Sequence, residues 1–246
     1  MSERRLYNRA TGERIEFAGF DGDRTLVTYD GSEFGSSWDF VGHTYYPIDE
    51  WQGIARRFHK KISVAQTQEE KDKLFMEWVD TDIAALKGKD VHRVYEQTVP
   101  YTKGAEEYLR NIRANNAAVY LAIISAGLGV VFDRIADELD FDSCLTNRPG
   151  VDETGMFDGT IDIQVTLHDK KASLESLLSW IGGVELRNVM FVGDDYNDVE
   201  CLQAVKEAGG LALAVNPLPE VEDMVSRAAN AVIQDFTELE QYTEIR

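Results

Sequence analysis

Four short stretches carry residue types that can do chemistry: Asp21-Gly22-Asp23-Arg24-Thr25, Ser125-Ala126-Gly127, Asp169-Lys170-Lys171 and Gly193-Asp194-Asp195-Tyr196-Asn197-Asp198. Two carboxylates two residues apart in extended chain face the same side, so one of Asp21 and Asp23 can attack an electrophile while the other shuttles a proton. A carboxylate that approaches a phosphate dianion meets like-charge repulsion, which Mg²⁺ and a lysine relieve by neutralising the phosphoryl oxygens. Asp194 would complete an all-oxygen Mg²⁺ site. Lys171 supplies positive charge, Ser125 a hydroxyl donor, and the backbone amides after Asp21 and Ser125, the latter that of Ala126, can point at phosphate oxygens.

Each feature alone has a plainer reading. Asp-x-Asp recurs at Asp80-x-Asp82 and Asp140-x-Asp142, where a solvated surface pair explains it. A serine after a strand is usually a turn or cap residue, a lysine pair opening a helix usually faces solvent, and Asp194 and Asp198 suit a helix N-cap and first turn. The plain readings do not explain why all four stretches follow one another at the ends of successive elements. A calcium loop of the EF-hand type is excluded, because the sixth position from Asp21 is Leu26 where glycine is needed. The histidines His43, His59, His92 and His168 and the cysteines Cys144 and Cys201 show no metal-ligand or disulfide spacing.

The elements that must position these residues follow from apolar periodicity. Residues 15–20, 118–124, 189–192 and 211–215 read as buried strands, with 229–233 a weaker one. Leu174, Leu177, Leu178 and Ile181 mark a helix closed by Gly182-Gly183, and 196–208 reads as another closed by Gly209-Gly210. The alternation predicts an α/β fold, a Rossmann-like doubly wound parallel sheet whose ligands bind beyond the carboxyl ends of its strands. Residues 33–103 are strand-poor: Thr67-x-x-Glu70 opens a helix carrying Leu74, Phe75, Trp78, Ile83 and Leu86. The expected organisation is a core of residues 1–32 and 104–246, with a small helical cap over 33–103 inserted after the first strand. A further amphipathic helix, with Ala105, Tyr108, Leu109 and Ile112 on one side, returns the chain to the sheet.

Composition narrows the partners. The 246 residues are 43% hydrophobic and 28% charged, enough for a real core, and the formal net charge of -19 disfavours nucleic acid and anionic membrane surfaces. An anionic substrate must then be drawn by local cations or a metal. The N-terminus lacks the apolar run of a signal peptide, and no segment has the length of a membrane span. A cytoplasmic setting is expected, with a small phosphorylated metabolite as the partner.

On the motifs DxDxT, strand-ending Ser, Lys and GDxxxD, here Asp21–Thr25, Ser125, Lys171 and Gly193–Asp198, the sequence resembles the haloacid dehalogenase superfamily from about residue 15 to 240. The GDxxND form, the helical insert and the segment Phe157-Asp158-Gly159-Thr160 are similar to its phosphoserine phosphatase-like branch. The resemblance implies a Mg²⁺-dependent phosphomonoesterase working through an aspartyl-phosphate. Asp21 would be the nucleophile and Asp23 the acid, then the base. The metal would be held by Asp21, the Asp23 carbonyl and Asp194, with Asp198 orienting its shell. Thr25, Ser125, Ala126, Asn197 and Lys171 would serve the phosphoryl group, Lys171 fitting the spacing to Gly193-Asp194 better than its rival Lys170.

Two departures bear on substrate. The flap acid of phosphoserine phosphatases is matched by Asp30 or Glu33, but their cap arginine has no counterpart in Glu77-Trp78-Val79-Asp80-Thr81-Asp82. An acidic residue there would repel a substrate carboxylate, which argues against phosphoserine itself. Arg24 either contacts the substrate or pairs with a nearby acid, the pairing being favoured. Alternatives of other classes are a phosphotransferase that passes the phosphoryl group to an alcohol and a noncatalytic binding protein of the same fold.

Overall fold

Runs of Val, Leu, Ile, Ala and Phe buried on both faces of the chain make the central strands of this protein. The computed structural model describes residues 4–29, 35–53, 61, 67–115 and 118–246. Its strands are β1 (Leu6–Asn8), β2 (Arg14–Ile15), β3 (Phe17–Phe20), β4 (Tyr120–Leu128), β5 (Ser143–Val151), β6 (Phe157–Asp162), β7 (Val189–Gly193), β8 (Leu211–Val215), β9 (Ala231–Ile233) and β10 (Thr243–Ile245). The helices are α1 (Ser37–Tyr45), α2 (Gln68–Leu86), α3 (His92–Tyr95), α4 (Ala105–Ala114), α5 (Gly129–Leu139), α6 (Lys170–Trp180), α7 (Val199–Glu207) and α8 (Glu222–Ala228).

Seven strands form one sheet in the order β6-β5-β4-β3-β7-β8-β9, parallel throughout except for the antiparallel β5/β6 edge pair. Successive residues of a strand face opposite sides, so each strand feeds two cores. Phe20, Ile123 and Val192 join α4 and α5 on one side; Phe17, Ile124 and Phe191 join α6, α7 and α8 on the other. This is the doubly wound α/β architecture expected from the sequence. A second, three-stranded antiparallel sheet pairs β10 with β1 and β1 with β2.

The expected strand over 15–20 divides at Glu16: Ile15 ends β2, in the small sheet, and Phe17 begins β3, in the large one. Between β3 and α4 the described residues are mostly helical, with α1, a helical stretch over 48–53, α2 and α3. Thr67 caps α2 as its sequence suggests, its hydroxyl accepting from the Glu70 amide at 3.2 Å. Helix α1 packs on β4 and α2, and α2 reaches β6. Among the described residues no helix is long and apolar enough to cross a membrane.

Candidate active site

Parallel register brings the sequence clusters together. Phe20 at the end of β3 lies opposite Ile123 of β4 and Val192 of β7, so Asp21, Ser125 and Asp194 all follow at the same carboxyl edge. The Asp21 amide donates to the Val192 carbonyl at 2.9 Å, which extends the ladder to the first functional residue. The chain then turns within residues 22–26, the Leu26 amide returning to the Gly22 carbonyl at 2.9 Å. Arg24 occupies the left-handed region at φ 62°, at a cost on the order of 1 kcal/mol. This turn aims the Arg24 Nε at Asp194 Oδ2, 2.9 Å away, so Arg24 pairs with a site acid.

Lysine provides the clearest correction. Lys170, not Lys171, enters the site: its fully buried ammonium donates to Asp21 Oδ1 at 2.8 Å and to Asp198 Oδ1 at 2.6 Å. Lys171 lies outside, its side chain 40% exposed and its ammonium 3.7 Å from Glu175. The reason is helical geometry: Asp169 is the N-cap of α6, and one residue turns about 100° around the axis, so only the first helical position faces the acids. Burial opposes the Lys170 charge, but Asp198 and Asp21 outweigh it and raise its pKa.

Thr25 also differs from expectation. It is fully buried and its Oγ1 donates to Asp194 Oδ1 at 2.9 Å, so it holds a carboxylate in place and is not part of the cavity lining. Asp198 is equally tied: Oδ2 accepts from the amides of Asp194 at 3.0 Å and Asp195 at 3.2 Å. That fold-back needs Gly193, since a Cβ there would stand 2.4 Å from Asp198 Cγ. The carboxylates of Asp21, Asp194 and Asp198 gather within 4.8 Å of one another, all buried.

Asp23 is held by a residue the sequence reading did not single out. Ser37, first residue of α1, donates its amide to Asp23 Oδ1 at 2.6 Å and its hydroxyl to Oδ2 at 2.9 Å, and the same hydroxyl accepts from the Leu128 amide at 2.9 Å. Gly127 permits this crossing, because a Cβ there would lie 2.5 Å from Ser37 Oγ and 2.6 Å from Asp23 Oδ2. A serine pair opening a helix, Ser36-Ser37, was the available signal. Ser125, Ala126 and Gly127 sit in a register irregularity of β4, between Ile124 and Leu128. Asn147 Nδ2 donates to the Ala126 carbonyl at 2.9 Å and stiffens the segment.

Electrostatics follow from burial. Desolvation, opposed by Lys170 and reinforced by Asp198, raises the Asp21 pKa to about 6. Burial and then the Asp21 charge push Asp23 up to about 8, despite its bonds to Ser37. Asp194 is raised well above the carboxylate range by burial and by Asp21 and Asp198. Negative charge is in excess at this point.

Asp21, Asp23, Ser125, Ala126, Asp194 and Asn197 all line one cavity of about 410 Å³, and the buried Asn197 Oδ1 has no hydrogen-bond partner among the described residues. Asp30 and Glu33 fall outside the described residues. The rest of the lining combines the rings of Trp38, Phe75, Trp78 and Tyr196 with Leu167 and with the polar residues Arg24, Ser36, Lys71 and Asp195.

A model of the haloacid dehalogenase-like hydrolase family matches residues 18–203. The chain is similar to phosphoserine phosphatase of Archaeoglobus fulgidus, 28% identical over 153 residues that make up 61% of this chain and 42% of that protein. It is also similar to phosphoserine phosphatase of Methanocaldococcus jannaschii, 25% identical over 139 residues, 55% of this chain and 63% of the other. The matched stretch thus spans less than two thirds of either relative. Among solved structures, a phospho-aspartyl intermediate analogue of phosphoserine phosphatase superposes with a TM-score of 0.67 at 20% identity, covering 92% of this chain and 97% of that one, a likeness of fold.

Proposed function

The chain belongs to the haloacid dehalogenase-like hydrolase family, and from that premise we propose that it is a Mg²⁺-dependent phosphatase that hydrolyses a small phosphorylated metabolite through an aspartyl-phosphate. One observation carries the reading: Lys170 bridges Asp21 and Asp198 within a buried group of three acids beneath a cavity that also holds Asp23, Ser125 and Asn197.

The donor set fits the metal. Three buried carboxylates opposed by the Lys170 ammonium and the Arg24 guanidinium are hard, oxygen-only surroundings of the kind Mg²⁺ prefers; Asp21, the Asp23 carbonyl and Asp194 would hold it, with Asp198, bonded to Lys170 and two amides, orienting its shell. When bound, the ion neutralises phosphoryl charge and relieves the repulsion between nucleophile and substrate. Thr25 and Arg24 each donate to one oxygen of Asp194 and fix its direction.

Asp21, its rotamer held by Lys170, attacks phosphorus; an O–P bond forms on its carboxylate as the bond to the leaving alcohol breaks. Asp23, whose pKa is raised by burial and which Ser37 aims, gives its proton to that alcohol. The Asp23 carboxylate so formed then takes a proton from water, whose oxygen attacks the acyl phosphate, releasing phosphate and restoring Asp21. Ser125, the Ala126 amide and Asn197 bind the phosphoryl oxygens. Residues 33–103 act as the cap that closes the site. The test is hydrolysis of an aryl phosphate with and without Mg²⁺: turnover requires the metal and is lost in Asp21→Asn with unchanged circular dichroism. Undiminished turnover in that variant overturns the mechanism.

A further inference from the structure

Phosphoryl chemistry uses only part of the cavity. Its other part carries the rings of Trp38, Phe75, Trp78 and Tyr196 and the side chain of Leu167, with Lys71 of α2, Ser36 and Asp195 also in the lining. The Trp38 and Trp78 rings lie 5.6 Å apart and tilted, and Phe75 meets Trp78 edge-on at 6.0 Å. Both indole N–H groups have protein acceptors: Trp38 Nε1 donates to the Ala126 carbonyl at 3.3 Å and Trp78 Nε1 to Asp82 Oδ2 at 2.7 Å. The rings therefore bring hydrocarbon and π surface to the cavity.

Asp82, Glu77 and Asp80 of α2 stay out of it. Asp82 is fully buried, bonded to Trp78 and absent from the lining, while Glu77 and Asp80 are exposed. The Arg24 Nε is taken by Asp194. Where the rings face the cavity, an ammonium or carboxylate meets no polar partner among the described residues, Lys71, Arg24, Ser36 and Asp195 lying elsewhere along the lining, and a group seated there without partners is penalised. A flat apolar group pays no such penalty and gains ring contacts.

We propose that the site accepts phosphomonoesters of alcohols bearing an aromatic ring, the ring seated against Trp38, Phe75 and Trp78. The proposal rests on the phosphatase reading and adds its substrate class. About 410 Å³ falls within the range of sites that enclose small organic ligands.

The test compares kcat/KM for 2-phenylethyl phosphate, propyl phosphate and phosphoserine, the first two having alkyl alcohols of similar leaving ability. Binding of 2-phenylethylphosphonate and propylphosphonate, followed by tryptophan fluorescence, needs no turnover. The ring ester is expected to be favoured about tenfold or more over both others, and the ring phosphonate over its propyl analogue by a similar factor, the equivalent of roughly 1.4 kcal/mol. Trp38→Leu and Trp78→Leu, made separately and checked by circular dichroism, should each shrink that ratio. Equal efficiency on all three esters overturns the aromatic class and leaves the phosphatase standing. No hydrolysis of any ester, with the ring phosphonate still preferred, overturns the phosphatase and supports the ring site. The wild-type comparison decides the matter even if either variant fails to fold.

Discussion

The floor and the roof of the cavity are built by different physics. Floor residues Asp21, Ser125 and Asp194 sit where three parallel strands run out, and their relative positions are fixed by backbone hydrogen bonds in register with Phe20, Ile123 and Val192. Every charged group there has a named partner, from Lys170 to Thr25 and Arg24. The roof residues Trp38, Phe75 and Trp78 come from α1 and α2, and what fixes them is ring-on-ring packing together with one indole hydrogen bond each for Trp38 and Trp78. Chemistry is thus tied to the backbone ladder and selectivity to side-chain packing. Replacing Phe75 or Trp78 can change the substrate class without removing a floor contact, whereas Trp38 is bonded to the Ala126 carbonyl and a floor substitution disturbs a network.

The sharpest break in that contrast comes from the nucleophile: Asp21→Asn should lower turnover by at least about 10³-fold, measured at saturating substrate, since residues acting as one catalytic unit fail together. Lys170 is next. Lys170→Ala strands two buried carboxylates, so an unfolding titration should show a loss of about 3–5 kcal/mol and an assay a loss of activity. Lys171→Ala, one residue along, should stay within about 0.5 kcal/mol of the parent. Comparable losses in both variants would contradict the assignment of Lys170 to the floor.

Metal addition tests the charge excess. Mg²⁺ at about 100 times its Kd should stabilise the protein by about 2.7 kcal/mol, a rise in Tm of roughly 5–10 °C at this chain length, and Asp194→Asn should remove most of it. A further effect is pH-dependent. In metal-free protein the Asp23 pKa is raised from 3.8 to about 8, by burial first and Asp21 second. The fold therefore binds this proton more tightly than the unfolded chain does. Its contribution to stability is complete below pH 3.8 and is lost as pH rises through about 8. In EDTA, Asp23→Asn should flatten the fall in Tm across that window, and an unchanged slope would contradict the burial of this acid.

Strand ends were legible in the sequence because β3, β7 and β8 are continuous apolar runs, buried along their whole length. The β5/β6 pair was not, since Ser143–Val151 contains Asn147, Arg148, Pro149 and Gly150 and is mostly half-buried, which leaves no periodic signal. Strands of two or three residues such as β2 and β10 are set by pairing between distant parts of the chain, invisible to local pattern. Within the site, motif spacing located the acids but not which lysine faces them, because that depends on where α6 begins. The role of Thr25 as a clamp on Asp194, and that of Ser37 on Asp23, depends on contacts across 169 and 14 residues of chain. The roof was half legible: Phe75 and Trp78 fell on an apolar stripe that marks burial equally well whether or not a cavity lies beside it.

The covalent step can be observed directly. Acid quenching of the protein during turnover with Mg²⁺ and a phosphomonoester, followed by borohydride reduction and peptide mass spectrometry, converts an aspartyl-phosphate to homoserine at the residue that carried it. The account predicts the modification at Asp21 alone, and none in Asp21→Asn. Modification at Asp23, or steady turnover with no modified aspartate, would contradict it.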